Sequence, residues 1–283
     1  MKNIYPILLL TFIMACKSSQ LAEVQPYNDK TKNVLVYQND GLGTGPCEPS
    51  IFINPKNPQN IVAGSILDFF HHSFDGGATW TTDKLTSSLG VYGDPVISAD
   101  NDGNFYYLHL GDPEGTNWAS SRILESIVIQ KSTDGGKTWN DGAGIGTNPP
   151  KQQDKEWISI NPTNNDLYVT WTQFDKYGSK DPNDVSLILF SKSTDQGATW
   201  TEGYRLSQFA GNCIDDDDTV EGAVPAAGTN GEVFVAWGYD EKIYFDRSMD
   251  GGKTWLDEDL VIVDQPGGWD MQIPGIGRCN GMP

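Results

Sequence analysis

The sequence predicts an all-β chain folded as a β-propeller of four-stranded antiparallel blades, and three observations carry that prediction. A segment of the form Ser-x-Asp-x-Gly-x-Thr-Trp occurs four times, with its aspartates at Asp75, Asp134, Asp195 and Asp250, spaced 59, 61 and 55 residues apart. A period of that size marks a repeat architecture. Each period holds short β-branched or aromatic runs separated by turn residues, four to a period, and a four-strand meander is a propeller blade. Helical patterning is nearly absent, while 31 glycines, 16 prolines and 11% aromatics suit short strands and many turns.

The repeated segment reads as a turn. Its Asp accepts hydrogen bonds from backbone N–H groups a few residues on, its Gly supplies positive φ, and its Trp lies across the strand pair. Around it the strands fall in order. The first opens with an acid, as in Glu48-Pro49-Ser50-Ile51, Asp94-Pro95-Val96-Ile97, Glu156-Trp157-Ile158-Ser159 and Glu221-Gly222-Ala223-Val224. The second covers Ile61 to Ala63, Phe105 to Leu110, Leu167 to Trp171 and Val233 to Trp237. A third runs into the turn at Ile127 to Gln130, Leu187 to Phe190 and Ile243 to Phe245, and a fourth leaves it, most clearly at Tyr204-Arg205-Leu206. The connection between second and third strands is short in repeats one and four. It is long in repeat two (Gly111 to Glu125) and repeat three (Thr172 to Val185). Insertions confined to one face mark the binding face.

Residues 1–15 read as a targeting segment: Lys2 precedes an apolar run from Tyr5 to Met14 that is too short to span a bilayer. Ile13-Met14-Ala15-Cys16 resembles a bacterial lipobox, which implies cleavage before Cys16 and lipid on its sulfur. Residues 16–32 read as a flexible tether and 33–283 as the propeller. Trp269-Asp270-Met271 looks like the opening of a fifth blade. At about 58 residues a blade, six blades need roughly 350 residues. The expectation is therefore a C-terminally truncated six-bladed propeller with four to five blades present, and a closed ring of four to five blades is the alternative.

The four segments match the Asp box, or bacterial neuraminidase repeat, so from about residue 34 onward the chain resembles sialidase-like β-propellers. That resemblance implies that the boxes Asp75, Asp134, Asp195 and Asp250 are structural and lie on the face opposite the active site. It also implies an arginine triad for a substrate carboxylate, a Tyr nucleophile paired with a Glu, an Asp acid/base and an early Phe/Tyr-Arg-Ile-Pro motif. The motif is absent, and the only arginines are Arg122, Arg205, Arg247 and Arg278, so the triad is not recognisable. Glu221 best matches the family's Glu, with Tyr239 or Tyr92 for the nucleophile.

Laying the repeats over one another places Glu48, Asp94, Glu156 (with Asp154 close by), Glu221 and Asp270 at the starts of innermost strands, which converge on the channel mouth. Crowded carboxyls raise one another's pKa, so that one acts as general acid while another stays ionised. Glu221, Asp94 and Glu156 are the candidate catalytic acids. Glu48, Asp270, Arg122, Arg278, Trp118, Trp157 and Trp269 are candidate substrate contacts, the tryptophans as stacking faces for sugar rings. The same acids also read as architectural caps, since every blade carries one. Asp215, Asp216, Asp217 and Asp218 offer hard oxygens for Ca²⁺ but lack the alternate spacing of a dedicated calcium loop, so a solvated acidic loop and no cofactor is the favoured reading. Among Cys47, Cys213 and Cys279, the pair Cys213–Cys279 is the expected disulfide, near the inner strands of adjacent blades.

A formal charge of −19, from 19 basic and 38 acidic residues, repels nucleic acid and anionic headgroups. Nucleic acid is therefore no expected partner, and the membrane is met through the lipid anchor alone. The sequence sets no oligomeric state. These observations imply a sialidase/neuraminidase-like glycoside hydrolase acting on glycans or glycoconjugates, lipid-anchored in a bacterial cell envelope. A non-catalytic glycan-binding propeller and a protein-docking scaffold are the alternatives.

Overall fold

The computed structural model of the protein describes residues 33–39 and 45–265. The expected leader and tether, with Cys16, and also Trp269, Asp270, Arg278 and Cys279, lie outside these residues. Four antiparallel four-stranded sheets follow one another along the chain, each a simple meander. The first holds β1 (Ser50–Ile53), β2 (Ile61–Ser65), β3 (Phe69–Ser73) and β4 (Thr81–Lys84). The second holds β5 (Val96–Ala99), β6 (Phe105–Leu110), β7 (Ile127–Ser132) and β8 (Ala143–Ile145). The third holds β9 (Gln152–Ile160), β10 (Leu167–Phe174), β11 (Ser186–Ser193) and β12 (Tyr204–Arg205). The fourth holds β13 (Glu221–Ala227), β14 (Val233–Tyr239), β15 (Lys242–Ser248) and β16 (Leu260–Asp264). The helical element among the described residues is one 3-10 turn, Asn117–Ala119, in the repeat-two insertion.

First strands of consecutive blades pack side by side, β1 on β5, β5 on β9 and β9 on β13, so they are the innermost. The core is correspondingly three layers between blades. Val62 and Phe70 of the first blade meet Ile97, Phe105 and Tyr107 of the second. Tyr106, Leu108 and Ile127 meet Leu167, Val169 and Trp171 of the third. Tyr168, Ile188 and Phe190 meet Val233, Val235 and Trp237 of the fourth. Side chains alternate across a strand, so β10 sends Leu167, Val169 and Trp171 to one neighbour and Tyr168 to the other. All eight residues of β10 are buried, as expected of a strand covered on both faces. Residues of β1, β13 and β16 that face away from the described neighbours stay exposed, among them Ile51, Val224 and Ile262.

Each repeated turn closes on one hydrogen-bond pattern. In the third, Ser193 Oγ donates to Asp195 Oδ1 at 2.8 Å and accepts from Gly197 N at 2.9 Å. Asp195 also accepts from the Thr199 backbone N–H and from its hydroxyl. Bonds to Thr79 and Thr199 pull the Asp75 and Asp195 carboxyls down to about 2, and Thr254 holds Asp250 lower still. A depressed carboxyl stabilises the fold above its ordinary value of 3.8, and that contribution is lost as pH falls through the folded-state value. The melting temperature is therefore expected to drop between pH 4 and pH 2. Asp195→Asn, which cannot titrate, should flatten that drop; an unchanged slope would remove the box carboxylates from the acid response.

The turns fall into two kinds. Trp80 and Trp200 donate their indole N–H to Gly77 O and Gly197 O of their own turns. Trp139 instead stands edge-on to Phe70 and Tyr107, and Trp255 edge-on to Phe190, with neither indole nitrogen bonded. Turns two and four thus plug into the preceding blade. A buried amide, Asn60, adds a polar tie: its Nδ2 donates to Ser73 O of its own blade and Gly135 O of the next.

Candidate functional site

Of the acids expected at inner-strand starts, the described ones, Glu48, Asp94, Glu156 and Glu221, line two clefts that share Lys155, in a register different from the expected one. One left-handed residue stands just before each inner strand or within its first few residues: Glu48 (φ 49), Asp94 (φ 52), Lys155 (φ 52) and Gly222 (φ 71). In blades three and four this residue belongs to a bulge. Asp154 pairs with Thr172 and Trp157 with Thr170, while Glu221 pairs with Gly238 and Val224 with Ala236. Lys155 therefore stands where Glu48 and Asp94 stand, Asp154 matches Glu221, and Glu156 matches Ala223. This corrects the expected equivalence of Glu156 and Glu221. One bulge residue changes which face a side chain takes.

The bulges aim the carboxyls at one another around a single ammonium. Lys155 Nζ bonds Asp94 Oδ2 at 3.0 Å across two blades. Burial opposes its charge, but Asp94 and Asp154 outweigh burial and hold Lys155 protonated. Burial, then the charge of Asp94, pushes Asp154 up to about 7. Burial, then Asp215 and Asp154, pushes Glu221 up to about 8. Burial and the nearby Asp94 carboxylate also raise Glu48. Glu156 is only 1% exposed, neither carboxyl oxygen has a partner, and burial holds it well above the carboxylate range. Glu221 Oε1 is likewise buried without a partner.

Two clefts open here, and Lys155 lines both. One of about 410 Å³ is walled by Glu48, Asp94, Glu156 and the 43% exposed Trp157. The other, about 250 Å³, is walled by Glu221, Asp216, Asp217, Thr219 and Tyr239. The turns at Asp75, Asp134, Asp195 and Asp250 follow the opposite strand ends, because Ser193 pairs with Leu167, five residues from Thr172 where Asp154 sits.

The two insertions supply an aromatic platform beside the acids. Trp118, 58% exposed, stands edge-on to Tyr92 at 6.2 Å and lies 5.3 Å from Tyr177, which packs on Phe174. Tyr177 Oη donates to Asp215 Oδ2 at 2.6 Å and feels the charges of Asp154 and Glu221. Tyr92 feels Asp112 and Asp94. Tyr177, rather than Tyr239 or Tyr92, is the tyrosine bonded to an acid at the mouth. Neither Tyr177 nor Lys155 carries a sequence signal of its own, although Tyr177 lies in an insertion expected to mark the binding face.

The remaining candidates lie elsewhere. Arg122 donates from Nε to Glu125 Oε1 at 3.0 Å and lines a separate cleft of about 480 Å³ with Lys151 and Asp175. In the acidic loop, Asp216 Oδ1 accepts from Asn212 Nδ2 and the Asp218 N–H, while Asp215 accepts from Tyr177. Among the described residues no three His, Cys, Asp or Glu side chains are arranged to hold a metal ion. Cys213 is buried, and its expected partner Cys279 lies outside the described residues.

No protein-family model and no curated protein matches the chain. Solved structures do. A protein of unknown function from Dyadobacter fermentans DSM 18053 superposes with a TM-score of 0.53 at 17% identity, over 74% of this chain and 66% of that one. An α-L-arabinofuranosidase from Fusarium graminearum gives 0.51 at 14%, over 76% and 66%. The NanB sialidase from Streptococcus pneumoniae gives 0.50 at 12%, over 81% and 54%. This chain thus spans between about half and two thirds of those proteins' lengths. At such identities the likeness establishes the architecture: the fold is that of the sialidase-like β-propellers.

Proposed function

We propose that the protein is a glycan-active propeller that hydrolyses a glycosidic bond at the acid-lined mouth. One observation carries this reading: Glu221, pushed up to about 8 by burial, and Asp94, paired with Lys155 at 3.0 Å, line two clefts that share Lys155. A carboxyl that holds its proton, working with a second carboxyl, is what glycoside hydrolysis uses. Glu221 protonates the leaving glycosidic oxygen, and water adds to the anomeric carbon with its proton passing to Asp94. Glu156 and Glu48 complete the wall, and Trp118 and Trp157 offer stacking faces. The arabinofuranosidase and sialidase that share the fold support a glycan as substrate. Among the described residues no arginine lines either acid cleft, so a sialidase-type triad finds no support there. Lipid attachment through Cys16 at a bacterial envelope belongs to the same proposal.

The protein should be assayed against a panel of aryl glycosides that includes aryl sialosides. Turnover of one glycoside, lost in Glu221→Gln, is the expected result. Saturable oligosaccharide binding without turnover would instead favour the binding-only reading, to which the exposed Trp118 platform also lends itself. On either reading Trp118→Ala is expected to weaken oligosaccharide affinity by about 1–3 kcal/mol, the worth of a lost stacking face. Calorimetric titration checks this, and an unchanged affinity would take Trp118 out of the site.

A further inference from the structure

We propose that the mouth selects a cationic amino sugar, a hexosamine unit carrying a free protonated amine, over a carboxylated sugar; this rests on the glycan-active reading of the same mouth. Carboxyls from all four described blades, Glu48, Asp94, Glu156 and Glu221, line the two clefts that share Lys155. The Lys155 ammonium is already bonded to Asp94 at 3.0 Å. The other lysine on the walls, Lys242, is bonded to Asp240 at 2.7 Å. An anionic sugar entering here meets lysines that are already paired, so neither ammonium is left to hold its carboxylate.

A cationic sugar meets the reverse. Glu156 is 1% exposed and lines one cleft with both carboxyl oxygens unpartnered, and Glu221 lines the other with Oε1 unpartnered. Buried acceptors without donors are rare in folded proteins and call for an absent partner. A protonated amine brings three N–H donors and no acceptor, and its charge favours the ionised form of the acid it meets. Tyr239 beside Glu221 supplies a hydroxyl for a ring substituent. The 58% exposed face of Trp118 supplies a surface for the next residue of the chain.

The test is calorimetric titration of the full chain with tetraglucosamine, its fully N-acetylated counterpart, sialyllactose and tetralysine, in the wild type and in Glu221→Gln. Tetraglucosamine should bind at least about tenfold tighter than the acetylated form, the size of one charge-assisted hydrogen bond. Glu221→Gln should shrink that ratio toward one. Equal affinity for the two tetrasaccharides would overturn the charge preference while leaving the glycan reading intact, and tighter binding of sialyllactose would do the same. Tetralysine binding as well as tetraglucosamine would overturn the sugar assignment, showing general attraction to an acidic surface. Failure of every saccharide to bind would overturn this inference and the glycan reading together.

Discussion

Glu221→Gln is expected to abolish glycoside hydrolysis and, in alkaline solution, to leave a more stable protein than the wild type. The loss of rate follows from the proton. Gln keeps the shape and donates a weak N–H, but it has no acidic proton to give a leaving oxygen, which should cost at least about a hundredfold. Wild-type turnover should itself decline as pH rises through about 8, where Glu221 ionises. The gain in stability follows from the same shift with its sign worked through. The folded-state value, about 8, lies above the ordinary 4.5. Below pH 4.5 folded and unfolded chains both hold the proton, and the favourable contribution is complete. Between 4.5 and 8 only the folded chain holds it, so stability falls with rising pH. Asp154, raised to about 7, adds to the slope. Gln removes the burial of a charge at that site and should recover about 1–3 kcal/mol at pH 9, with little difference at pH 5. Thermal melts at the two pH values check this, and turnover at the wild-type rate would take Glu221 out of the chemistry.

The architecture was largely written in the sequence, because the recurring turn fixes where each third strand ends and the rest of the blade follows from it. The aromatic run Phe105 to Leu110 has the bounds of β6, and the inner-strand acids Glu48 and Asp94 lie where the repeat puts them. The register of blades three and four was not legible. Matching acid to acid put Glu156 opposite Glu221, whereas the shared feature is the left-handed residue, and a lysine at that position carries no turn signal. A bulge shows itself only in the pairing across strands. Tyr177 was hidden for a related reason. Its bond to Asp215 joins residues 38 apart, from an insertion in one blade to the loop entering the next. Local pattern fixes which residues share a blade; which side chains meet at the axis depends on how blades abut.

Gly136→Ala and Gly77→Ala occupy the same place in the repeated turn, yet the first is expected to cost about 3 kcal/mol and the second about 1 kcal/mol. Both glycines have φ of +87, so both variants bear the strain of a left-handed alanine. They differ in what the added methyl meets. At Gly77 the nearest atoms are 3.6 Å away, Ile61 Cδ1 and the Trp80 ring, an ordinary contact. At Gly136 the methyl would stand 2.4 Å from Val62 Cγ2, a fully buried residue of the preceding blade. Gly252 repeats the close case, 2.5 Å from Phe190 Cζ of blade three, and Gly197 the open one, at 3.5 Å from Leu167 Cδ1. The sequence carries the same division: Gly-Lys-Thr-Trp in the turns whose tryptophans plug into the preceding blade, Gly-Ala-Thr-Trp in those whose tryptophans fold back on their own glycine. The four alanine variants should therefore sort by denaturant midpoint into two pairs, 136 with 252 and 77 with 197. Four equal losses would mean that φ strain alone sets the cost, and that the turns hold their own blades without gripping their neighbours.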